Sequence, residues 1–266
     1  MSGRIEAMFA RARSEERPAV LMFTPCGYPE RDAAYDVITA ALEGGADGIE
    51  IGVPFSDPLG DGPAIQRAND IARAAGFEPP DLWPLIRRLR ASGVTAPLIL
   101  MGYCNPLFAY GIEAFVRDAA SAGADGMIVV DLPPEEAGEL EDAARRAGLA
   151  LIYLLAPTST DERIELIARH GSGFIYCVSV TGVTGARTSM SELLPGFIAR
   201  VRARTELPLA IGFGISTHEH VREVGRLADG AVVGSALVAT VANATREERA
   251  ARVRAFVEEI TGRATG

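Results

Sequence analysis

"GGADGIEIG" (residues 44–52) decides how this chain is read. Two glycines stop a helical stretch, a tight turn follows, and a short apolar strand begins. The phrase returns as "AGADGMIVVD" (122–131) and "RLADGAVVGS" (226–235). Working outward, strand-like apolar runs occupy 19–24, 47–52, 97–103, 125–131, 149–155, 173–179, 207–214 and 229–235. Between them lie stretches such as "ERDAAYDVITAALEGG" (30–45) and "PPEEAGELEDAARRAG" (133–148), with helical spacing, acidic starts and glycine stops. Eight βα units with near-continuous apolar strands predict an α/β fold, a parallel sheet covered by helices. In 266 residues a closed (β/α)8 barrel, typically about 250 residues long, is the economical arrangement. A doubly wound open sheet is the alternative. No Pro/Ser-rich linker or change of composition divides the chain, so residues 1–266 read as one domain. Ile5, Met8 and Phe9 at helical spacing predict an extra N-terminal helix over 1–14.

Composition excludes several classes of function. The net charge of −9 argues against a general nucleic-acid or acidic-membrane binder and leaves room only for a small local basic site. All 26 basic residues are arginine, so no mechanism here uses a lysine amine. Three scattered cysteines, Cys26, Cys104 and Cys177, fit buried thiols in a reducing compartment. The N-terminus has no apolar signal core, and no run of about 20 apolar residues spans a membrane. These features predict a soluble, cytoplasmic protein. "HEH" (218–220) looks metal-like, but it opens a helix without a third ligand, so no metal site is expected.

Chemistry concentrates where a barrel puts its loops, after the strands. Side chains alternate along a strand, so Ile49 and Ile51 face the helices while Gly48, Glu50 and Gly52 face inward. An inward carboxylate is costly to desolvate. It is either half of a structural ion pair or an acid/base with a raised pKa. The strand runs contain no arginine, which favours the second. In the loop 53–63, Asp57 reads as a turn aspartate. Asp61 either caps the following helix or faces the same pocket as Glu50. "GFGIS" (212–216) and "GS" (234–235), after the last two strand runs, have the glycines and helix start of a phosphate cradle. "SVTGVTGARTSMS" (179–191) is polar and glycine-broken. It is an ordinary mobile loop or a lid. Phe23, Met101, Tyr103 and Tyr176, with Ile128 and Phe213, bring flat apolar surface to the same end and suit an aromatic substrate.

"EIGVPFSDPLGDGPAIQ" (50–66), together with "SVTGVTGAR", "GFGIS" and "GSALV" in that order, closely resembles the alpha subunit of tryptophan synthase along essentially the whole chain. Small departures fall at Gly102, Val130 and Leu154. The resemblance implies a TIM barrel that cleaves indole-3-glycerol phosphate to indole and glyceraldehyde 3-phosphate in tryptophan biosynthesis. It implies Glu50 and Asp61 as the catalytic pair, an indole slot lined by Phe23, Met101, Ile128 and Phe213, and Tyr176 near the glycerol portion, while Tyr103 joins the pocket from the reading of the residues above. It also implies a phosphate site at Gly185, Gly214, Gly234 and Ser235, with Thr184 on the lid. The partner it implies is a pyridoxal-phosphate beta subunit in an alpha-beta-beta-alpha heterotetramer, with no cofactor in this chain. Pro54, Asp57, Asn105 and Phe108 are the expected partner contacts. A lyase working without a partner, or a non-catalytic allosteric barrel, are the alternatives.

Overall fold

The computed structural model describes residues 3–179, 193–212 and 214–263. Its strands are β1 (Ala19–Pro25), β2 (Gly48–Gly52), β3 (Leu98–Gly102), β4 (Gly126–Val129), β5 (Ala150–Ile152), β6 (Leu154–Leu155), β7 (Ile175–Val178), β8 (Leu209–Gly212) and β9 (Gly230–Val233). The helices are α1 (Gly3–Ser14), α2 (Ala34–Glu43), α3 (Pro63–Ala74), α4 (Leu82–Ala91), α5 (Cys104–Tyr110), α6 (Ile112–Ala122), α7 (Gly138–Ala147), α8 (Asp161–His170), α9 (Leu194–Arg202), α10 (His218–Gly225), α11 (Ser235–Ala242) and α12 (Arg249–Thr261).

All strand pairs are parallel, in the order β5-β4-β3-β2-β1-β9-β8-β7-β6. The sequence run 149–155 breaks at Tyr153. Its first part pairs with β4 and its second with β7, and the Tyr153 carbonyl accepts from the Tyr176 N–H at 3.0 Å. One run therefore joins the two ends of the sheet, which curls into a barrel rather than an open sheet. Eight predicted runs become nine strands because that run serves two neighbours.

The register carries one inward face around the barrel. Phe23 pairs with Glu50 and Glu50 with Ile99, while Gly52 pairs with Met101 and Met101 with Ile128. On the other side Leu154 pairs with Tyr176 and Tyr176 with Ala210. Register partners on parallel strands point the same way, so Phe23, Glu50, Met101, Ile128 and Tyr176 all face the interior.

The repeated "ADG" has a structural meaning at the floor of the barrel, where the strands begin. Asp47, Asp125 and Asp229 each accept a backbone N–H from the start of a neighbouring strand segment: Val20 at 2.9 Å, Leu98 at 2.8 Å and Leu209 at 2.9 Å. Each carboxylate also meets one arginine of α1: Arg11 to Asp47 at 2.8 Å, Arg4 to Asp125 at 3.0 Å and Arg13 to Asp229 at 3.7 Å. Between these flanking arginines the stripe of α1 that faces the barrel buries Ile5, Met8 and Phe9, with Phe9 packed on Phe174 at 5.6 Å between ring centroids. Burying such side chains stabilises by about 1.5–3 kcal/mol each, so packing seats the helix and the three ion pairs fix its orientation.

Candidate active site

Glu50 sits in the middle of β2 and is fully buried. Neither carboxylate oxygen has a hydrogen-bond partner among the described residues. Burial is the cause that moves its pKa, and it pushes the carboxyl up to about 8. The side chain is therefore a neutral acid at pH 7, held inside the barrel and not locked to a guanidinium. A buried polar group without partners costs of the order of 1–3 kcal/mol. A fold that retains one at the centre of a strand makes it a candidate functional position.

Asp61 lies in the loop between β2 and α3 and is 6% exposed. It does not cap α3, whose N-cap is Gly62 with no side-chain hydrogen bond. Its carboxylate accepts instead from the Asn69 amide at 3.3 Å and from the Tyr103 hydroxyl. Burial raises its pKa to about 6, against the lowering effect of those two donors. The Tyr103 oxygen also accepts from the Gly60 N–H at 3.1 Å, and the Tyr103 ring packs on Phe55 with centroids 5.4 Å apart. Tyr103 therefore clamps the aspartate loop as well as bordering the slot.

Tyr176 joins the two carboxyls. Burial, then Glu50, then Asp61, raise its phenol well above its ordinary value, so both acidic groups lie within electrostatic reach of one hydroxyl. Two glycines make the room. A Cβ on Gly212 would stand 1.9 Å from the Tyr176 oxygen, and one on Gly52 would stand 2.7 Å from the Phe23 ring. Met101 and Ile128 complete an apolar wall on adjacent strands, with exposures of 8% and 1%.

Across the barrel mouth, Gly214 follows β8 with φ +83 and open space where a side chain would go. Gly234 follows β9 and is the N-cap of α11, which Ser235 opens without any side-chain cap. Uncapped N–H groups at a helix start, with the helix dipole behind them, bind anions. Of the residues expected from the sequence to meet a partner, Asp57, Asn105 and Phe108 are exposed, whereas Pro54 is buried. Leu59 and Phe108 are large apolar side chains left 85% and 51% exposed. Thr184, Gly185, Phe213 and nearly all of the lid segment lie outside the described residues.

The histidines of "HEH" go separate ways: His218 bonds the Ile260 carbonyl through Nδ1, and the His220 ring accepts from the Ser216 N–H. Sequence reasoning missed Asn69. Its signal is a polar residue in the buried stripe of α3, beside Ile65, Ala68 and Ala72.

Residues 9–264 match the family model described as "Tryptophan synthase alpha chain". The chain is 51% identical over 259 residues to the tryptophan synthase alpha chain of Roseiflexus sp. (strain RS-1), covering 97% of this chain and 99% of that one. Among solved structures it is similar to Mycobacterium tuberculosis tryptophan synthase, with TM-score 0.89, 37% identity and 97% of each chain covered. It is equally similar in fold to tryptophan synthase subunit alpha from Legionella pneumophila str. Paris, at TM-score 0.89 and 33% identity over 97% of each chain. Glu50 buried inside a parallel barrel, Asp61 in the loop after its strand, and these matches lead to one assignment: the chain belongs to the tryptophan synthase alpha chain family.

Proposed function

We propose that this chain cleaves indole-3-glycerol phosphate to indole and glyceraldehyde 3-phosphate by acid–base catalysis. The observation that carries the reading is Glu50, a buried carboxyl without a partner among the described residues, facing the same interior as Phe23, Met101 and Ile128. The reaction is a retro-aldol and needs an electron sink. The chain has no lysine for a Schiff base, so the indole ring itself is the sink. Glu50 gives its proton to ring carbon C3, and the resulting indoleninium draws in the electrons of the carbon–carbon bond. The carboxylate then takes the proton of the glycerol hydroxyl as that bond breaks, and the aldehyde forms. Asp61 accepts a hydrogen bond from the ring N–H and stabilises its positive charge. Gly214, Gly234 and Ser235 hold the phosphate through backbone N–H groups, with Gly185. Thr184 and the lid shut water out.

The exposed rim formed by Asp57, Leu59, Asn105 and Phe108 is where a beta subunit docks, with Pro54 stiffening the loop from beneath. Pyridoxal phosphate belongs to that subunit, the assembly is an alpha-beta-beta-alpha heterotetramer, and it works in the cytoplasm. No described helix is long and apolar enough to cross a membrane.

The test is indole release from indole-3-glycerol phosphate by wild type and Glu50→Gln, each with and without a beta subunit. Cleavage by wild type and its loss in the variant support the reading. A wild-type rate in Glu50→Gln overturns it, and turnover unaffected by the beta subunit overturns the docking part.

A further inference from the structure

At the floor of the barrel, opposite the mouth, a cavity of about 300 Å³ opens where the chain enters β1. Its walls come from residues 16–18, from α10 and from the end of α12, and four guanidiniums line it: Arg17, Arg222, Arg226 and Arg263. Glu16 is the one acidic side chain in that lining.

The charges do not cancel locally. Beneath the cavity the buried Asp47 carboxylate meets Arg17 at 2.7 and 2.9 Å, Arg263 at 2.7 and 3.1 Å, and Arg11 at 2.8 Å. Glu15 also meets Arg17, at 2.5 Å, so two carboxylates answer three guanidiniums and one positive charge is left in excess. Burial works against ionised Asp47, yet Arg263 and Arg17 hold its carboxyl at about 2, so it stays charged and its cations stay in place. Arg222 meets only Glu219, at 3.5 Å between two exposed side chains, a contact worth little in water. Arg226 makes no hydrogen bond or ion pair among the described residues. The Arg263 Nε atom is buried and has no hydrogen-bond partner among the described residues. A buried donor on a cation without an acceptor is costly.

We propose that this cavity is a second anion site, which binds a small phosphate dianion or pyrophosphate. Guanidinium forks match phosphate oxygens in pairs. A concave wall of four such groups on a chain of net charge −9 concentrates positive potential that the rest of the molecule opposes. The site is separate from the cradle at Gly214 and Gly234, which lies after the strands rather than before them, and it does not depend on the reaction proposed above.

Hydrogen-exchange mass spectrometry with inorganic pyrophosphate tests it on the full chain. The expected result is slowed exchange in residues 16–20 and 218–226 of wild type, with the half-maximal concentration raised about tenfold or more in Arg222→Ser/Arg226→Ser. The milder Arg226→Gln should show a smaller rise. Any response at 234–238, which reports the cradle, should be equal in wild type and variants. No slowing at 16–20 and 218–226 in wild type overturns the proposal. So does equal slowing in the double variant, or the same slowing produced by sodium chloride at matched ionic strength.

Discussion

The Asn69 side-chain amide donates to the Asp61 carboxylate at 3.3 Å, and both residues are nearly excluded from solvent. A helix that begins at Pro63 thus reaches back, two turns in, to hold the loop that precedes it. With Tyr103 on the other side, the carboxylate is fixed by two donors that also draw its pKa down against burial. Asn69→Ala removes one of them. Asp61 must be ionised to accept the indole N–H, so the rising limb of kcat, near pH 6 in wild type, should move to higher pH. A hydrogen bond to a charged group is worth about 1.5–3 kcal/mol, so kcat at pH 6 should fall about tenfold or more while KM changes little. An unshifted limb in the pH profile would show that Asn69 only packs.

Glu50 must carry its proton when substrate binds, and burial keeps it protonated up to about pH 8. The expected pH dependence of kcat/KM is a plateau that falls above about 8. Glu50→Gln should lower turnover by about 100- to 10,000-fold, the range of general acid–base catalysis, with phosphate-ester binding retained. Single-turnover rates together with equilibrium binding separate these two quantities.

The same carboxyl makes folding stability depend on pH. Its folded pKa of about 8 lies above its ordinary 4.5. Between those values the folded state binds more protons than the unfolded state, so stability falls as pH rises. Asp61, raised to about 6 from 3.8, adds a slope of the same sign at lower pH. Glu50→Gln should flatten the decline between about pH 5 and 8, and should be more stable than wild type by a few kcal/mol at pH 8 and above. Urea denaturation across this range measures it, and parallel curves for the two proteins would contradict the buried-acid assignment.

Gly212→Ala should be costly although it adds one methyl group. The new Cβ would lie 1.9 Å from the Tyr176 oxygen, and that phenol is itself buried. Overpacking of this kind costs about 1–3 kcal/mol. A lowered thermal midpoint together with reduced cleavage is expected, and Tyr176→Phe in the same background should recover part of the stability.

The barrel was legible because its signal is periodic and local. Runs such as 47–52 and 125–131 alternate with amphipathic helices, and burial on both faces of a parallel strand leaves a continuous apolar stretch that sequence displays directly. Glu50 stood out for the same reason, as the one charged side chain away from the ends of such a run. What depended on tertiary contact was harder. Nothing near Tyr103 announces that its hydroxyl will hold Gly60 and Asp61, more than forty residues earlier. The short α5, which presents Asn105 and Phe108, has no long amphipathic repeat to reveal it. Whether Asp61 caps a helix or faces the pocket was undecidable locally, because "DGP" permits both; the donors supplied by Asn69 and Tyr103 settle its orientation. The aspartates of the "ADG" repeat marked turns correctly, but their arginine partners lie up to 216 residues away.

Those three aspartates also set an order of events during synthesis. Helix α1 carries Arg4, Arg11 and Arg13, yet its last acceptor, Asp229, is translated more than two hundred residues later. That helix is therefore made long before it is fully seated, and a nascent chain halted before β9 holds its own stopper unfastened on one side.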